Sequence, residues 1–418
     1  MFQRQLIYLL TLCAVAFLPQ KVLAGNWPGF RGPGGLGVSQ EKDLPIGWSE
    51  TENMAWKTAM PGHGSSSPIA LNGKLYVTCY SGYGMRGVPG KMEDLRLHVV
   101  CVDSKNGKII WHKQIEPVRP ESKSVRDHGY SAGTPITDGK HLYIFFGKSG
   151  VFKFDLEGNK IWQTSVGTKT HGWGSGTSPV LYENLVIVNA SVESKSLVAI
   201  DKNSGKEVWR TGGMDSSWNT PHLVKNSRGQ YEVAVTVKKW IIGFDPKTGE
   251  ELWRCKGISD YICPSIVSHE GVLYAMGARS SKTVAVRSGG RGDVTGTHKL
   301  WQADVGANVC SPVVYNGHLY WVSDRNRTAY CLSLSDGSVK YAEKIGPQPY
   351  ASALLADGRF YVVTRNGGTL VLAAKPQFEQ LALNKLEDES TFNASAIVCD
   401  GALILRSDKN LYCIKKMN

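Results

Sequence analysis

The chain has 418 residues, 42% of them hydrophobic and 20% charged, with a formal net charge of +12. These values exclude a disordered or fibrous chain, and the length suits either two or three ordinary domains or one long repeat array. The positive balance favours anionic partners, but no Lys/Arg-rich run or nucleic-acid module is visible, so nucleic acid is not expected among them.

Residues 1–24 read as a secretory signal peptide. Arg4 is the one early charge, Leu6–Leu18 is an apolar run short for a bilayer span, and Val22-Leu23-Ala24 offers small residues for cleavage after Ala24. Leu12 stands before Cys13 where lipoprotein processing would need a small residue. Removing the leader takes away Arg4 and Lys21 and no acid, leaving 46 basic against 36 acidic residues, or +10. An exported protein of the periplasm or cell envelope is therefore expected, with no transmembrane segment in the mature chain. Eight cysteines remain, and an oxidising compartment permits disulfides. Cys255 with Cys263 and Cys79 with Cys101 are the candidate bridges, and buried free thiols are the alternative.

Residues 25–52 are rich in Gly and Pro and lack alternation, which predicts an irregular arm pinned to the body by Trp27 and Phe30. Asn53–Thr58 then looks like the second half of a hairpin whose first half is missing. From Ser65 the pattern settles into strands, beginning with a pair around the Asn72-Gly73 turn. A unit now repeats in which an apolar run ends in Asp, a Gly follows and a Trp closes. It occurs as Asp103–Gly107–Trp111, Asp201–Gly205–Trp209 and Asp245–Gly249–Trp253, and one residue shorter as Asp155–Gly158–Trp162. Each copy predicts a tight Asx/Gly turn with an aromatic opening the outgoing strand. The fifth unit, Ile262–Trp301, carries the glycine-rich loop Ser288–Thr297. The sixth, Val309–Tyr341, substitutes Ser333 and Tyr341, and the seventh, Ala351–Leu381, keeps only Asp357-Gly358. The last, Asn393–Lys416, stops after three strands.

The outer-strand positions are then Trp56, Trp111, Trp162, Trp209, Trp253, Trp301, Tyr341 and Leu381, spaced 40 to 55 residues apart. That spacing suits propeller blades, and the orphan strand supplies what the last unit lacks. The expected fold is all-β: an eight-bladed β-propeller of four-stranded antiparallel blades over residues 53–418, its ring closed by the N-terminal strand. A pair of β-sandwiches is the alternative, but it leaves the half-hairpin unexplained.

Ring geometry sorts the remaining candidates. Loops leading into each inner strand share one face and carry His63, His128, Tyr130, His171, Trp173, Trp218, Tyr261, Asn308, Tyr350 and Phe392, the rim of a central funnel. Loops between second and third strands share that face and carry Lys148, Lys238, Lys239, Arg279, Arg325, Arg327, Arg365 and Arg406. A polar and aromatic pocket for a planar ligand, ringed by cations, is one reading. Solvated charge and side chains that merely cap their own blades are the other. Arg325, Arg327 and Arg365 fall in equivalent loops of neighbouring blades, within expected reach of one anion. Trp56, Trp111, Trp162, Trp209, Trp253 and Trp301 are assigned to structural docking between blades. No HExxH, GxSxG or Walker sequence occurs, and no catalytic residue or metal ligand is assigned. Arg126-Asp127-His128 places charged neighbours on one loop without requiring that they converge, and the Arg291-Gly-Asp293 tripeptide is attributed to chance.

The Ala-x-Asp-x3-Gly-x3-Trp units resemble the tryptophan-docking repeats of the quinoprotein, or PQQ-like, β-propeller superfamily. That superfamily includes PQQ-dependent dehydrogenases and the assembly factor BamB. Trp27-Pro-Gly-Phe-Arg-Gly-Pro, Pro61-Gly-His-Gly-Ser-Ser-Ser-Pro68 and Gly289-Gly-Arg-Gly-Asp-Val-Thr295 are similar to stretches of exported PQQ-like proteins of planctomycetes. The resemblance implies a monomeric binding or scaffolding propeller in the envelope, whose funnel face takes an anionic ligand or an acidic protein partner. It leaves a PQQ- and Ca²⁺-dependent oxidoreductase open as an alternative. That branch implies a Glu/Asn/Asp calcium trio that matches no motif here and, for alcohol oxidation, adjacent cysteines that this chain lacks. A further alternative is a polysaccharide-binding protein that uses Trp173, Trp218 and Tyr261 as stacking platforms.

Overall fold

The computed structural model describes residues 25–417 apart from Ser216 and Ala278; the expected signal peptide lies outside them. Among the described residues the strands form eight antiparallel sheets of four, one of which gains a short fifth strand. Blade 1 spans residues 69–115, blade 2 136–164, blade 3 180–212, blade 4 222–256, blade 5 267–303, blade 6 313–344 and blade 7 354–384. Blade 8 takes three strands from residues 397–414 and its outer strand from Met54–Ala59, which pairs antiparallel with Asn410–Ile414. The ring is thus fastened by strands from both ends of the sequence, and no inner sheet edge is left open at the join.

Each blade buries both faces of its inner strands, so the apolar core is a series of layers between blades. One cluster joins Ala70, Leu75 and Val77 of blade 1 to Ile404, Tyr412 and Ile414 of blade 8, across the closure. The outer strand of every blade carries a β-bulge beside the docking position. A bulge sharpens the local twist and turns that side chain toward the neighbouring blade. Five tryptophans then dock alike. The indole N–H of Trp56 donates to the Ser104 carbonyl (2.9 Å), Trp111 to Leu156 (3.0 Å), Trp162 to Lys202 (3.0 Å), Trp209 to Pro246 (3.1 Å) and Trp301 to Leu334 (2.8 Å). Each acceptor lies in the hairpin turn of the following blade, and the ring lies over that turn's glycine. At Gly107 an added Cβ would stand 2.7 Å from the Trp56 ring and at Gly249 2.4 Å from Trp209, and both glycines hold positive φ. The turn needs glycine twice over, for its backbone and for its indole neighbour.

Three positions depart from this pattern, the first being Tyr341 of blade 6, which packs on the Phe378 ring (5.7 Å between centres) without a matching N–H bond. In blade 5 the loop Ser288–Thr297 replaces the Asp-x3-Gly turn, so Trp253 has no turn to dock on. Its indole donates instead to buried Glu232 of its own blade (2.7 Å), and its ring lies over Gly243. The loop runs Gly292–Asp293 parallel to Trp253 and Arg254 as the fifth strand. In blade 7 the register pairs Val371 with Ala382 and Leu372 with Gln380. The docking position is therefore Ala382; Leu381 is the bulged residue and is exposed. The sequence spacing placed it one residue early, because the lost Trp removed the marker of the bulge.

At the axis the blades are joined by a closed circle of hydrogen bonds. The backbone N–H of Ser67 donates to the hydroxyl of Thr134, Thr134 to Ser178, Ser178 to Thr220 and Thr220 to Ser265, each at 3.0 Å. The circle continues from Ser265 to Ser311 (3.0 Å), Ser311 to Ser352 (2.9 Å), Ser352 to Ser395 (3.0 Å) and Ser395 back to Ser67 (3.1 Å). One residue per blade takes part, and all are buried.

The expected disulfides are corrected. All eight cysteines among the described residues are free. Cys79 pairs with His98 and Cys101 with Tyr76, so the three-residue offset points their side chains to opposite faces of blade 1. Cys255 is packed between blades 4 and 5, whereas Cys263 lines the central cavity.

Truncating the Trp209 ring should cost about 3–5 kcal/mol in urea unfolding. Leu381→Ala should stay under ~1 kcal/mol, as an exposed position does; equal losses would contradict the register described. Ser311→Ala leaves the buried Ser265 N–H without its acceptor and should cost about 1–3 kcal/mol. Unchanged stability in that variant would show that the circle contributes nothing.

Candidate functional site

The axis opens at one end into a cavity of about 440 Å³. Its walls are the loops leading into the inner strands, its waist is the hydroxyl circle, and Phe30 closes the far end. Phe30 arrives on the N-terminal arm. That arm pairs Trp27 with Ala70 of blade 1, gives the Pro28 carbonyl to the Thr137 N–H, and pairs Gly37 and Ser39 with Leu355 of blade 7. Buried Arg31 ties the crossing to blade 6 by donating to the Pro312 carbonyl. The channel is therefore blind.

One wall is aromatic. Trp173 packs 5.0 Å from Trp218 and 4.7 Å from Tyr261 between ring centres, at 50° and 66°, with His171 edge-on behind them. Tyr261 donates its hydroxyl to Asn308 Oδ1 (2.6 Å), and Asn308 leans on Asp324, which also accepts the N–H groups of Asn308 and Val309. Arginines flank this wall. Arg126, Arg279 and Arg325 line the cavity and have no carboxylate partner among the described residues; Arg279 lies over the Tyr261 ring and accepts Arg325 at its carbonyl. Arg365 differs, since it holds Asp127 at 2.9 Å and lies over the Tyr350 ring at 4.8 Å.

The loop between blades 1 and 2 brings Asp127 there. Its Arg126 N–H donates to the Gly172 carbonyl of the loop into blade 3, while the Asp127 carbonyl accepts Asn393 of blade 8. It thus spans the mouth from one side to the other, and the Asp127 carboxylate sits in the corner made by Arg365 and Tyr350. His128 follows, with Nε2 buried and unpartnered, and burial lowers its pKa so that the ring is neutral near pH 7. Asn393, also buried in the lining, leaves its Oδ1 without a partner.

The sequence candidates divide accordingly. His128, Trp173, Trp218, Tyr261, Asn308, Tyr350, Arg279 and Arg325 meet in the cavity. Tyr130 and His171 line a small adjoining pocket of about 30 Å³, and Arg365 stands at the edge. His63 packs on Tyr80, and Lys238 and Arg327 lie outside the lining, so the structure does not bring Arg325, Arg327 and Arg365 onto one point. Arg406 is no surface cation: it is buried and donates to Ser66 and Thr78 across the join of blades 8 and 1. Sequence reasoning missed the hydroxyl circle, Asn393 and Phe30 as cavity parts. A signal for the circle was present, since Ser67, Thr134, Ser178, Thr220 and Ser311 each precede a proline at the start of an inner strand.

A model of the family described as outer membrane protein assembly factor BamB matches residues 25–174 and 147–373. The chain belongs to this BamB-type, PQQ-like family. Among solved structures, BamB from Moraxella catarrhalis superposes with a TM-score of 0.61 at 14% identity, covering 87% of this chain and 97% of that one. The quinohemoprotein alcohol dehydrogenase from Comamonas testosteroni gives 0.63 at 11% identity over 94% and 81%. The computationally designed Ika8 protein gives 0.59 at 10% identity over 85% and 98%. At these identities the likeness is one of fold. No curated protein matches the chain.

The calcium of the dehydrogenase branch finds no free carboxylate in the cavity lining. Among the described residues no group of three or more His, Cys, Asp or Glu could hold a metal ion. Asp127, the carboxylate in the lining, is taken by Arg365, and Asp324 is taken by backbone N–H groups. The family thus contributes the scaffold, and the cavity chemistry here is that of arginine, hydroxyl and indole.

The aromatic wall has a titratable prop. Buried Glu193 accepts the hydroxyl of Ser175, two residues after Trp173, and burial raises its pKa to about 7. A folded-state value above that of a free carboxyl means that the folded protein holds the proton between about pH 4.5 and 7. The contribution to stability is then full below the unfolded value and is lost as pH rises through 7. Thermal melts should show Glu193→Gln gaining on wild type between pH 5 and pH 8, by ~3 kcal/mol at most. A constant difference across that range would remove Glu193 from the account.

Proposed function

We propose that this chain is an exported binding propeller of the cell envelope, which holds an anionic ligand or an acidic segment of a protein partner in its blind cavity. The carrying observation is the set of three arginines, Arg126, Arg279 and Arg325, that line one cavity without carboxylate partners among the described residues. Like charges gathered around a partly enclosed space repel one another, and an anion offsets that repulsion. The planar fork of arginine grips a carboxylate with two charge-assisted bonds. Asp127 on Arg365 displays the same contact from within the chain. The leader-like residues 1–24 and the BamB-type family support the envelope setting, and among the described residues no helix is long and apolar enough to cross a membrane.

The test uses a glutamate octapeptide as probe, followed by tryptophan fluorescence, because Trp173 and Trp218 line the site. Changing Arg126, Arg279 and Arg325 together to Gln should weaken binding at least roughly tenfold, a loss of about 1.4 kcal/mol, with the melting temperature nearly unchanged. Arg327→Gln, outside the lining, should bind as wild type. Added salt should weaken wild type more than the triple variant. Equal affinities in all three proteins would sink the proposal.

A further inference from the structure

Resting on that reading of the cavity, we infer that its ligand is the end of a short acidic saccharide, a chain of sugar rings bearing carboxylates. The first ground is blindness. Phe30 and the arm close the far mouth, so a polymer cannot thread the axis and only a chain end or a small molecule can enter. The volume, about 440 Å³, lies within the ~300–1,000 Å³ usual for ligand sites.

The second ground is the pattern of unmet hydrogen bonds. Each hydroxyl of the axial circle accepts one backbone N–H and donates to no acceptor among the described residues. All of these hydroxyls line the cavity, so their donors surround its waist. Buried polar atoms left unpaired are costly, and a ligand that meets them all must carry oxygens and hydroxyls around its whole girth. A sugar ring does so, whereas an extended acidic peptide presents its polar groups along two edges.

The third ground is the aromatic wall. Trp173 stands at 50° to Trp218 and 66° to Tyr261, so the rings form a corner and no parallel pair is held open as a slot. A flat aromatic ligand calls for a slot, while the C–H faces of a saturated ring seat against tilted indoles. Beside the corner, with Arg279 over the Tyr261 ring, Arg279 and Arg325 are placed for the carboxylate.

Calorimetry on the full mature chain decides the matter with three probes: trigalacturonate, the same trisaccharide with its carboxylates reduced to alcohols, and the glutamate octapeptide. The acidic sugar should bind at least roughly tenfold more tightly than the neutral one. Arg279→Gln with Arg325→Gln should erase that preference, and Trp173→Leu should weaken both sugars alike. Should Trp173→Leu fail to fold, the wild-type comparison still decides. Octapeptide binding that the arginine changes abolish, without trigalacturonate binding, would overturn the saccharide and leave the anion-binding cavity standing. Equal affinity for the two sugars would overturn the acidic class. Failure of all three probes would overturn both the saccharide and the cavity reading.

Discussion

Eight strands meeting at an axis face a problem that ordinary sheets do not. Just before each inner strand, a buried residue points its backbone N–H toward the next blade, where no sheet partner exists. A buried N–H without an acceptor costs more than an ordinary hydrogen bond contributes. The circle from Ser67 to Ser395 answers this by lending each N–H the hydroxyl of the next blade. Every blade is thereby both donor and acceptor, so the ring has no natural end. The proline after five of these residues fits the same need, since it sets an extended start to the strand and brings no further N–H to satisfy.

The indoles do for the rim what the hydroxyls do for the axis. Trp56, Trp111, Trp162, Trp209 and Trp301 each reach into the turn of the following blade, in the same rotational sense as the chain. With both radii secured, the loops above can diverge while the frame holds. Blade 5 shows how much variation is tolerated. Losing its turn leaves Trp253 to its own blade, where Glu232 takes over as acceptor and also receives Asn226 and the Gly289 N–H. Buried carboxylates are costly unless hydrogen-bonded, and this one is bonded three ways.

A rigid ring with a closed floor is well suited to binding, because its groups are held in place before the ligand arrives. BamB and a quinohemoprotein alcohol dehydrogenase are both among its structural neighbours, so the frame alone does not choose between them. The choice falls to the side chains at the axis. Here they are cationic, hydroxylic and aromatic, and their carboxylates are already engaged inside the protein.

What the sequence determined by itself was periodic. Four Asp-Gly-Trp units, their degenerate successors and one orphan strand sufficed to count blades and close the ring, because each repeat obeys the same local turn chemistry and the same alternation. Even there, Leu381 stood in for Ala382, since a bulge without its Trp leaves no mark in the residue string. The funnel loops also sorted to one face, because strand parity alone dictates it. Which of their residues converge was a different matter. Asp127 meets Arg365 across 238 positions, Phe30 plugs an axis lined from Ser65 to Ser395, and Arg406 turns inward where Arg325 stays out. Such meetings depend on loop paths and on how far each blade rotates about the axis. These are properties of the closed ring as a whole, so only the tertiary structure decided them.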